Sequence, residues 1–313
     1  MREDLPKISL PTPDNDPFEA WSREAARDFP YLVPPAYRQK IEASTQPEAL
    51  LRQVMPSDAE LLPAYGFTTN PLDESPGPGG GLIEKYHGRL LVMVTQACAG
   101  HCRFCFRRHM LDSPLHQDTV QTAFQQRMED RDDITEVILS GGDPLVLSER
   151  RLEAWLELIC SYPQVKRIRI HSREPVFSPE RFTPGLLGIL QQCALPVVLA
   201  VHVNHADELD GKTETALRNL REAGLMLLTQ TVLLRGVNDS VETLSALFER
   251  AVECELTPYY LHQLDRVAGA AHFEVEPDRG LSILRELRDR LPGYMVPRYV
   301  QEIPGKDSKH PVE

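Results

Sequence analysis

LLVMVTQACAGHCRFCFRRH, residues 90–109, carries the two features from which the rest of the chain can be read. Its first six residues, 90–95, are an aliphatic, partly β-branched run of strand length. Cys98, Cys102 and Cys105 follow directly, in C-x3-C-x2-C spacing. Thiolates are soft ligands suited to iron–sulfur clusters or zinc. Three of them in one short loop can hold three irons of a cubane and leave the fourth open to a substrate. Structural zinc normally takes four protein ligands, often as two separated C-x2-C pairs. No second pair occurs here, although His101 or His109 could complete a zinc site. Cys160, Cys193 and Cys254 stand alone in helical stretches, where a buried structural thiol is the default.

Downstream, short β-branched runs alternate with longer amphipathic ones. Strands are expected at 90–95, 136–140, 166–171, 196–203, 226–234 and 257–264, with helices near 117–130, 148–161, 179–193, 213–223 and 240–255. A helix over roughly 277–290 leads to a last strand in YMVPRYV, 294–300. Strict βα alternation implies a parallel sheet, because parallel strands need a crossover. The pattern fits either an open sheet or a curved partial barrel. Polar clusters follow the strands: TQACAGHC, GGDP, SREP, NHAD, RGVND and DRVAG. Active sites of such folds lie at the carboxyl ends of the strands.

Upstream, residues 1–84 hold 13 of the 26 prolines, which excludes long uninterrupted helices. Short helices are expected at 17–28 and 47–54, in a wrapper around the core that closes with the loop SPGPGGG, 75–81. The 313 residues form one large domain or two ordinary ones. A net charge of -12 argues against nucleic acid as a partner. No apolar run approaches the ~20 residues that span a bilayer, and the N-terminus has no apolar signal region. A cytoplasmic protein with reduced thiols is the expectation.

The triplet and the GGDP after the second strand resemble the radical SAM superfamily, which uses S-adenosylmethionine (SAM). The resemblance implies an α/β fold, a partial (β/α)6 barrel. It also implies a 4Fe-4S cluster on Cys98, Cys102 and Cys105 whose open iron chelates SAM, so that reductive cleavage yields a 5′-deoxyadenosyl radical. The glycine-rich contact to the methionine amine falls on Gly141, Gly142 and Asp143. Glycine lets backbone approach a ligand closely, although GGDP is also an ordinary turn.

CRFCFRRH, SGGDPL, HVNHADE, LLRGVND, YYLHQLD and the terminal PGKDSKHPV resemble, in the same order, the lysine 2,3-aminomutase family. The match runs from about residue 85 to 312. The family combines SAM with pyridoxal phosphate (PLP) and moves the α-amino group of L-lysine to Cβ. An unactivated C–H bond is beyond acid–base catalysis, so a carbon radical must break it. The resemblance divides the chain into a wrapping extension at 1–84, a radical SAM barrel at 85–275 and a C-terminal segment at 276–313 that carries the PLP lysine.

That lysine matches Lys309, followed by His310 and Pro311; Lys306 is a rival because Gly305-Lys306-Asp307-Ser308 replaces an all-glycine run. Arg107 matches the arginine that forks onto the substrate carboxylate. Asp265 and Glu302 match the two carboxylates that read the substrate ε-ammonium, Glu302 standing where the family has aspartate. His202 and Gln230 match SAM contacts, and Lys85 and Arg89 the basic residues facing the PLP phosphate. Each has a plainer alternative as core filling, salt bridge or solvated charge. Arg173 is another candidate anion binder.

One branch of the family makes (R)-β-lysine for modification of bacterial translation elongation factor P. This chain resembles it through YYLHQLDRVAGAAHF, Glu302, and an end four residues past Lys309. Free-lysine aminomutases continue there into an assembly segment, so a family-type tetramer is not expected. The resemblance implies L-lysine as substrate, a flavodoxin- or ferredoxin-type electron donor and a functional link to the elongation factor P ligase. The alternatives are a free lysine or glutamate 2,3-aminomutase, a zinc-stabilised binding module, and a SAM-binding scaffold without turnover. Two acidic residues facing the substrate side chain argue against glutamate.

Overall fold

The computed structural model describes residues 22–77, 81–110 and 115–313. The first residues of the helix expected at 17–28, and the middle of the SPGPGGG loop, lie outside them. Three short helices open the described chain: α1 (Arg23–Asp28), α2 (Pro35–Ala43) and α3 (Pro47–Arg52). A proline occupies the first turn of α2 and α3, where its missing N–H is no loss.

The rest follows one sheet. Its elements are β1 (Leu82–Ile83), β2 (Arg89–Thr95), α4 (Gln117–Asp130), β3 (Glu136–Gly141), α5 (Glu149–Cys160), β4 (Arg167–Ser172), α6 (Glu174–Phe177), α7 (Pro184–Gln191), β5 (Val197–His202), α8 (Gly211–Glu222), β6 (Met226–Val232), α9 (Val241–Glu253), β7 (Thr257–His262), α10 (Pro277–Arg290), β8 (Arg298–Gln301) and β9 (His310–Pro311). The strands lie in sequence order, β1 to β9, and the sheet is open. From β2 to β8 every neighbouring pair is parallel; β1 and β9 add antiparallel edges. This is the partial barrel that the resemblance implied.

The helices bury one stripe each. In α9 that stripe is Val241, Leu244, Leu247, Phe248 and Ala251, and the Ser240 hydroxyl accepts the Thr243 N–H at the N-terminus. Strands such as β3 are buried almost throughout, as a sheet covered on both faces requires. Truncating a fully buried side chain such as Phe248 to alanine costs about 3–5 kcal/mol.

Several expected elements need correction. The helix expected at 179–193 is a short 3-10 turn and α7, with Pro179 and Pro184 each at the start of one piece, and the short α6 before it was not expected. The last strand is only 298–301, and β6 and β7 end two residues early. Cys160 and Cys193 are not isolated: their sulfurs lie 3.7 Å apart.

The N-terminal helices are fastened to the sheet by buried ions. Arg103 is fully buried and donates to both oxygens of Glu60, at 2.9 and 2.6 Å, and to the carbonyl of Phe29 at 2.8 Å. Arg108 donates to the same Glu60 at 2.8 Å. Tyr37 donates to Glu208 at 2.7 Å, and Lys40 pairs with Asp210 and Thr213.

Candidate active site

One cavity of about 480 Å³ opens at the carboxyl ends of the strands. Every residue assigned above to a cluster, cofactor or substrate lines it, and so does Arg173. Lys306 does not line it. The sheet therefore brings together groups that lie from residue 85 to residue 309 in the chain.

At one end sit Cys98, Cys102 and Cys105, on the loop that leaves β2. Burial pushes all three thiols up, Cys105 to about 11. A bound metal reverses that balance, because ligation deprotonates a thiol. The Arg173 guanidinium donates to the Cys102 sulfur at 2.8 Å and to Glu208 and Gln53 at 2.6 Å each. Among the described residues no three His, Cys, Asp or Glu groups converge on one metal ion. A cubane makes a different demand, since each thiolate takes its own iron. Three thiols facing one cavity from a single loop fit that demand. Neither His101 nor His109 lines the cavity; their rings meet the carbonyls of Pro30 and Ala268, at 2.8 and 3.1 Å.

Next to the cysteines lies the turn after β3. Gly141 has φ +116°, and a Cβ on it would stand 2.3 Å from the Thr95 carbonyl oxygen. A Cβ on Gly142 would stand 2.2 Å from that of Ala97. The Gly142 and Asp143 N–H groups donate to those two carbonyls, at 2.7 and 2.8 Å. So the two glycines are required first by the chain itself: they let the β3 turn pack directly on the cysteine loop. The Asp143 carboxylate is also engaged within the protein. It accepts from the Ser172 hydroxyl at 2.8 Å and from the N–H groups of Arg173 at 2.6 Å and Leu145 at 3.0 Å. That leaves the backbone of the turn, not this carboxylate, for a ligand.

The middle of the cavity carries Arg107, His202 and Gln230. Arg107 is buried, and its fork already grips Glu74, at 2.8 and 2.9 Å, while a third N–H reaches Ser140 at 2.9 Å. Its two remaining N–H groups are the ones free for a substrate carboxylate. His202 at the end of β5 pairs in register with Gln230 on β6. Burial and the nearby Arg173 charge push the imidazole down to about 3, so it is neutral, and its Nε2 has no partner.

At the other end Glu302, just after β8, is the hub. Lys309 donates to Oε2 at 2.6 Å, Lys85 lies 2.8 Å from Oε1, and the Tyr86 hydroxyl donates to Oε1. Burial opposes ionisation, but the Lys309 charge and these donors hold the Glu302 carboxyl down at about 2. Asp265, past the end of β7, differs. Among the described residues no hydrogen bond or salt bridge reaches its carboxylate. Burial pushes it up to about 7, with Lys309 pulling it down and Glu302 pushing it further up. It faces the cavity without a counter-ion.

Arg89 lies over the Tyr86 ring at 5.1 Å, and Arg298 lines the same wall. Neither has a carboxylate partner among the described residues, which makes them a better anion seat than Lys85. Sequence reasoning missed Arg298, Glu74, Tyr86 and His262, whose buried Nε2 is also unpartnered. Arg298 and His262 stand inside stretches already read as strands, and their alternation could have shown them facing inward. Glu74 is 33 residues from Arg107 with no periodic link.

Comparison with known proteins supplies the setting. The family model described as the Radical SAM superfamily matches residues 92–247. The chain is 40% identical over 293 residues to an L-lysine 2,3-aminomutase of Escherichia coli (strain K12), covering 93% of this chain and 85% of that protein. It is 36% identical over 308 residues to one of Haemophilus influenzae, covering 97% and 90%. Against that of Clostridium subterminale the identity is 34% over 293 residues, covering 92% and 70%.

Proposed function

Since this chain belongs to the L-lysine 2,3-aminomutase family of radical SAM enzymes, we propose that it converts L-α-lysine to (R)-β-lysine with SAM, a 4Fe-4S cluster and PLP. One observation carries the reading: Cys98, Cys102 and Cys105 face the same cavity as Lys309. A radical made at the cluster and an amino group held at the lysine must share one enclosed space. When bound, the cluster with SAM supplies a carbon radical, and PLP supplies the π system through which nitrogen migrates.

The chain's own residues do the rest. The three cysteines hold the cluster, and Arg173 steadies Cys102. Gly141 and Gly142 offer backbone to SAM, with His202 and Gln230 beside them. Lys309 is the cofactor lysine, and Arg89 with Lys85 faces the phosphate. Arg107, turned by Glu74, takes the substrate carboxylate. Asp265, a cavity carboxylate without a cation, takes the substrate ε-ammonium, together with Glu302. An acidic pair at that position disfavours glutamate as substrate. The zinc-stabilised module recedes, because nothing in it calls for Lys309 in the cavity.

The motif YYLHQLDRVAGAAHF and Glu302 support the finer reading, that the product modifies elongation factor P; a flavodoxin- or ferredoxin-type protein is the electron donor that the family resemblance implies. No helix among the described residues is long and apolar enough to cross a membrane. Anaerobic incubation with L-lysine, SAM and reductant tests the activity: the product should be β-lysine of R configuration. Unchanged α-lysine, with SAM cleaved, would sink the aminomutase reading. Transfer of the product to elongation factor P by its ligase, against transfer of α-lysine, tests the branch.

A further inference from the structure

Glu302 is asked to do two things that exclude each other. The functional reading gives it to the substrate ammonium, yet both its oxygens are taken. Lys309 holds Oε2 at 2.6 Å; Lys85, at 2.8 Å, and Tyr86 hold Oε1. Its side chain is only 7% exposed, so water does not compete strongly for these contacts. Asp265, the other carboxylate at this end of the pocket, makes no such pair among the described residues. The two lysines on Glu302 are the two that the reading sends to a cofactor aldehyde and its phosphate.

We propose that Glu302 is a placeholder counter-ion. In the cofactor-free chain it holds the Lys309 and Lys85 side chains in ion pairs, and filling the cofactor site releases it to the substrate. The proposal rests on the functional reading for what replaces the lysines, but the pairing itself does not. An amine attacks an aldehyde only when neutral, so Lys309 must give its proton to water and leave Glu302 before its nitrogen forms a bond to the carbonyl carbon, with loss of one water. The ion pair with a buried carboxylate occupies the amine and slows that capture. Once Lys309 is bonded and neutral, Glu302 has lost one cation. A phosphate that draws Lys85 away removes the second. Glu302 and Asp265 then face the cavity as two carboxylates, the arrangement that an ammonium ion fits. Cofactor and lysine are thereby coupled through one side chain, and the cofactor has to come first.

The test uses the full-length cofactor-free chain. Trace labelling with an amine-specific reagent is read residue by residue by peptide mass mapping, with exposed Lys306 as the internal control. Lys309 should label slowly in the native chain and roughly tenfold faster in Glu302→Gln, because the ion pair that occupies its amine is gone. Lys306 should be unmoved. Glu302→Asp keeps the charge and should label slowly, and it serves if Glu302→Gln does not fold. Equal Lys309 rates in the native chain and Glu302→Gln, or fast labelling in Glu302→Asp, would overturn the proposal. A second arm adds PLP and traps the covalent product with borohydride at intervals. Capture on Lys309 should quicken in Glu302→Gln by a similar factor. Capture on Lys306 would overturn the assignment of the cofactor lysine, while the amine label still reports the pairing by itself.

Discussion

Around the cysteine loop, Arg103, Arg108 and Arg173 are each no more than 5% exposed, and each donates to a buried glutamate. At the far end of the cavity Lys85 and Lys309, with side chains 18% and 22% exposed, share one glutamate, and Asp265 makes no salt bridge among the described residues. In the first region the partners are protein groups locked by packing, among them backbone carbonyls that cannot leave. In the second, the partners are ends of long side chains at the edge of water. Fixed charge suits a loop that must hold three ligands at one spacing. Exchangeable charge suits a pocket whose contents change during a reaction cycle. Both regions carry ion pairs, so counting salt bridges would not separate them; what differs is whether a partner can be replaced.

Changing the cysteines should have the largest effect. Alanine at Cys98, Cys102 or Cys105 should remove the reducible cluster and all turnover, read by iron and sulfide analysis. Stoichiometric iron in any of these variants would disprove the ligand assignment. Arg103→Ala comes next, because it takes one of two arginines from buried Glu60 and leaves a hole in the interior. Breaking a buried pair costs about 3–5 kcal/mol, visible in denaturant unfolding. A loss below about 1 kcal/mol would mean that the cysteine end is less fixed than its hydrogen bonds indicate.

Asp265 sharpens the comparison from the other side. Its folded pKa, about 7, lies above the ordinary carboxylate value, so the folded chain holds its proton more tightly than the unfolded chain. Ionisation of Asp265 therefore lowers stability as pH rises from the unfolded pKa, ~4, towards 7. Asp265→Asn should be more stable than the native chain at pH 8 and show no such gain at pH 4. Lysine affinity should move the opposite way, rising through pH 7 as the carboxylate charges, and Asp265→Asn should flatten that profile. A binding titration across pH checks it; a native profile flat from pH 6 to 8 would remove Asp265 from the ammonium site. Lys306→Ala should do least. Lys306 is exposed and outside the cavity lining, so stability should change by no more than about 0.5 kcal/mol and PLP capture not at all.

Much of the architecture is legible because it is periodic. The strands from β2 to β7 and most helices follow from alternation and from apolar stripes, and the cysteine triplet from spacing within eight residues. What was lost has physical causes. Pro179 and Pro184 divide the stretch read as one helix into a short 3-10 turn and α7, which periodicity alone does not show. The edges β1 and β9 are two residues each, too short to show a period. In the site, GGDP was read for its ligand, whereas the positive φ and close carbonyls of its glycines belong to chain packing. The grip of Glu74 on Arg107, and of Glu302 on Lys85, joins residues far apart in the chain. No local pattern encodes it.

The order of the sheet also sets a timetable. From β2 onward each strand pairs with the one made just before it, so the barrel can lengthen unit by unit as the chain emerges, through contacts of short sequence separation. The N-terminal helices cannot follow that schedule. Tyr37 must wait for Glu208, 171 residues later, and Lys40 for Asp210, 170 residues later. Arg173, which reaches Cys102, completes its bonds only with that same Glu208. The helix α2 is thus among the last elements to settle. A cluster delivered before residue 208 has left the ribosome would meet a cysteine loop whose back wall is still open.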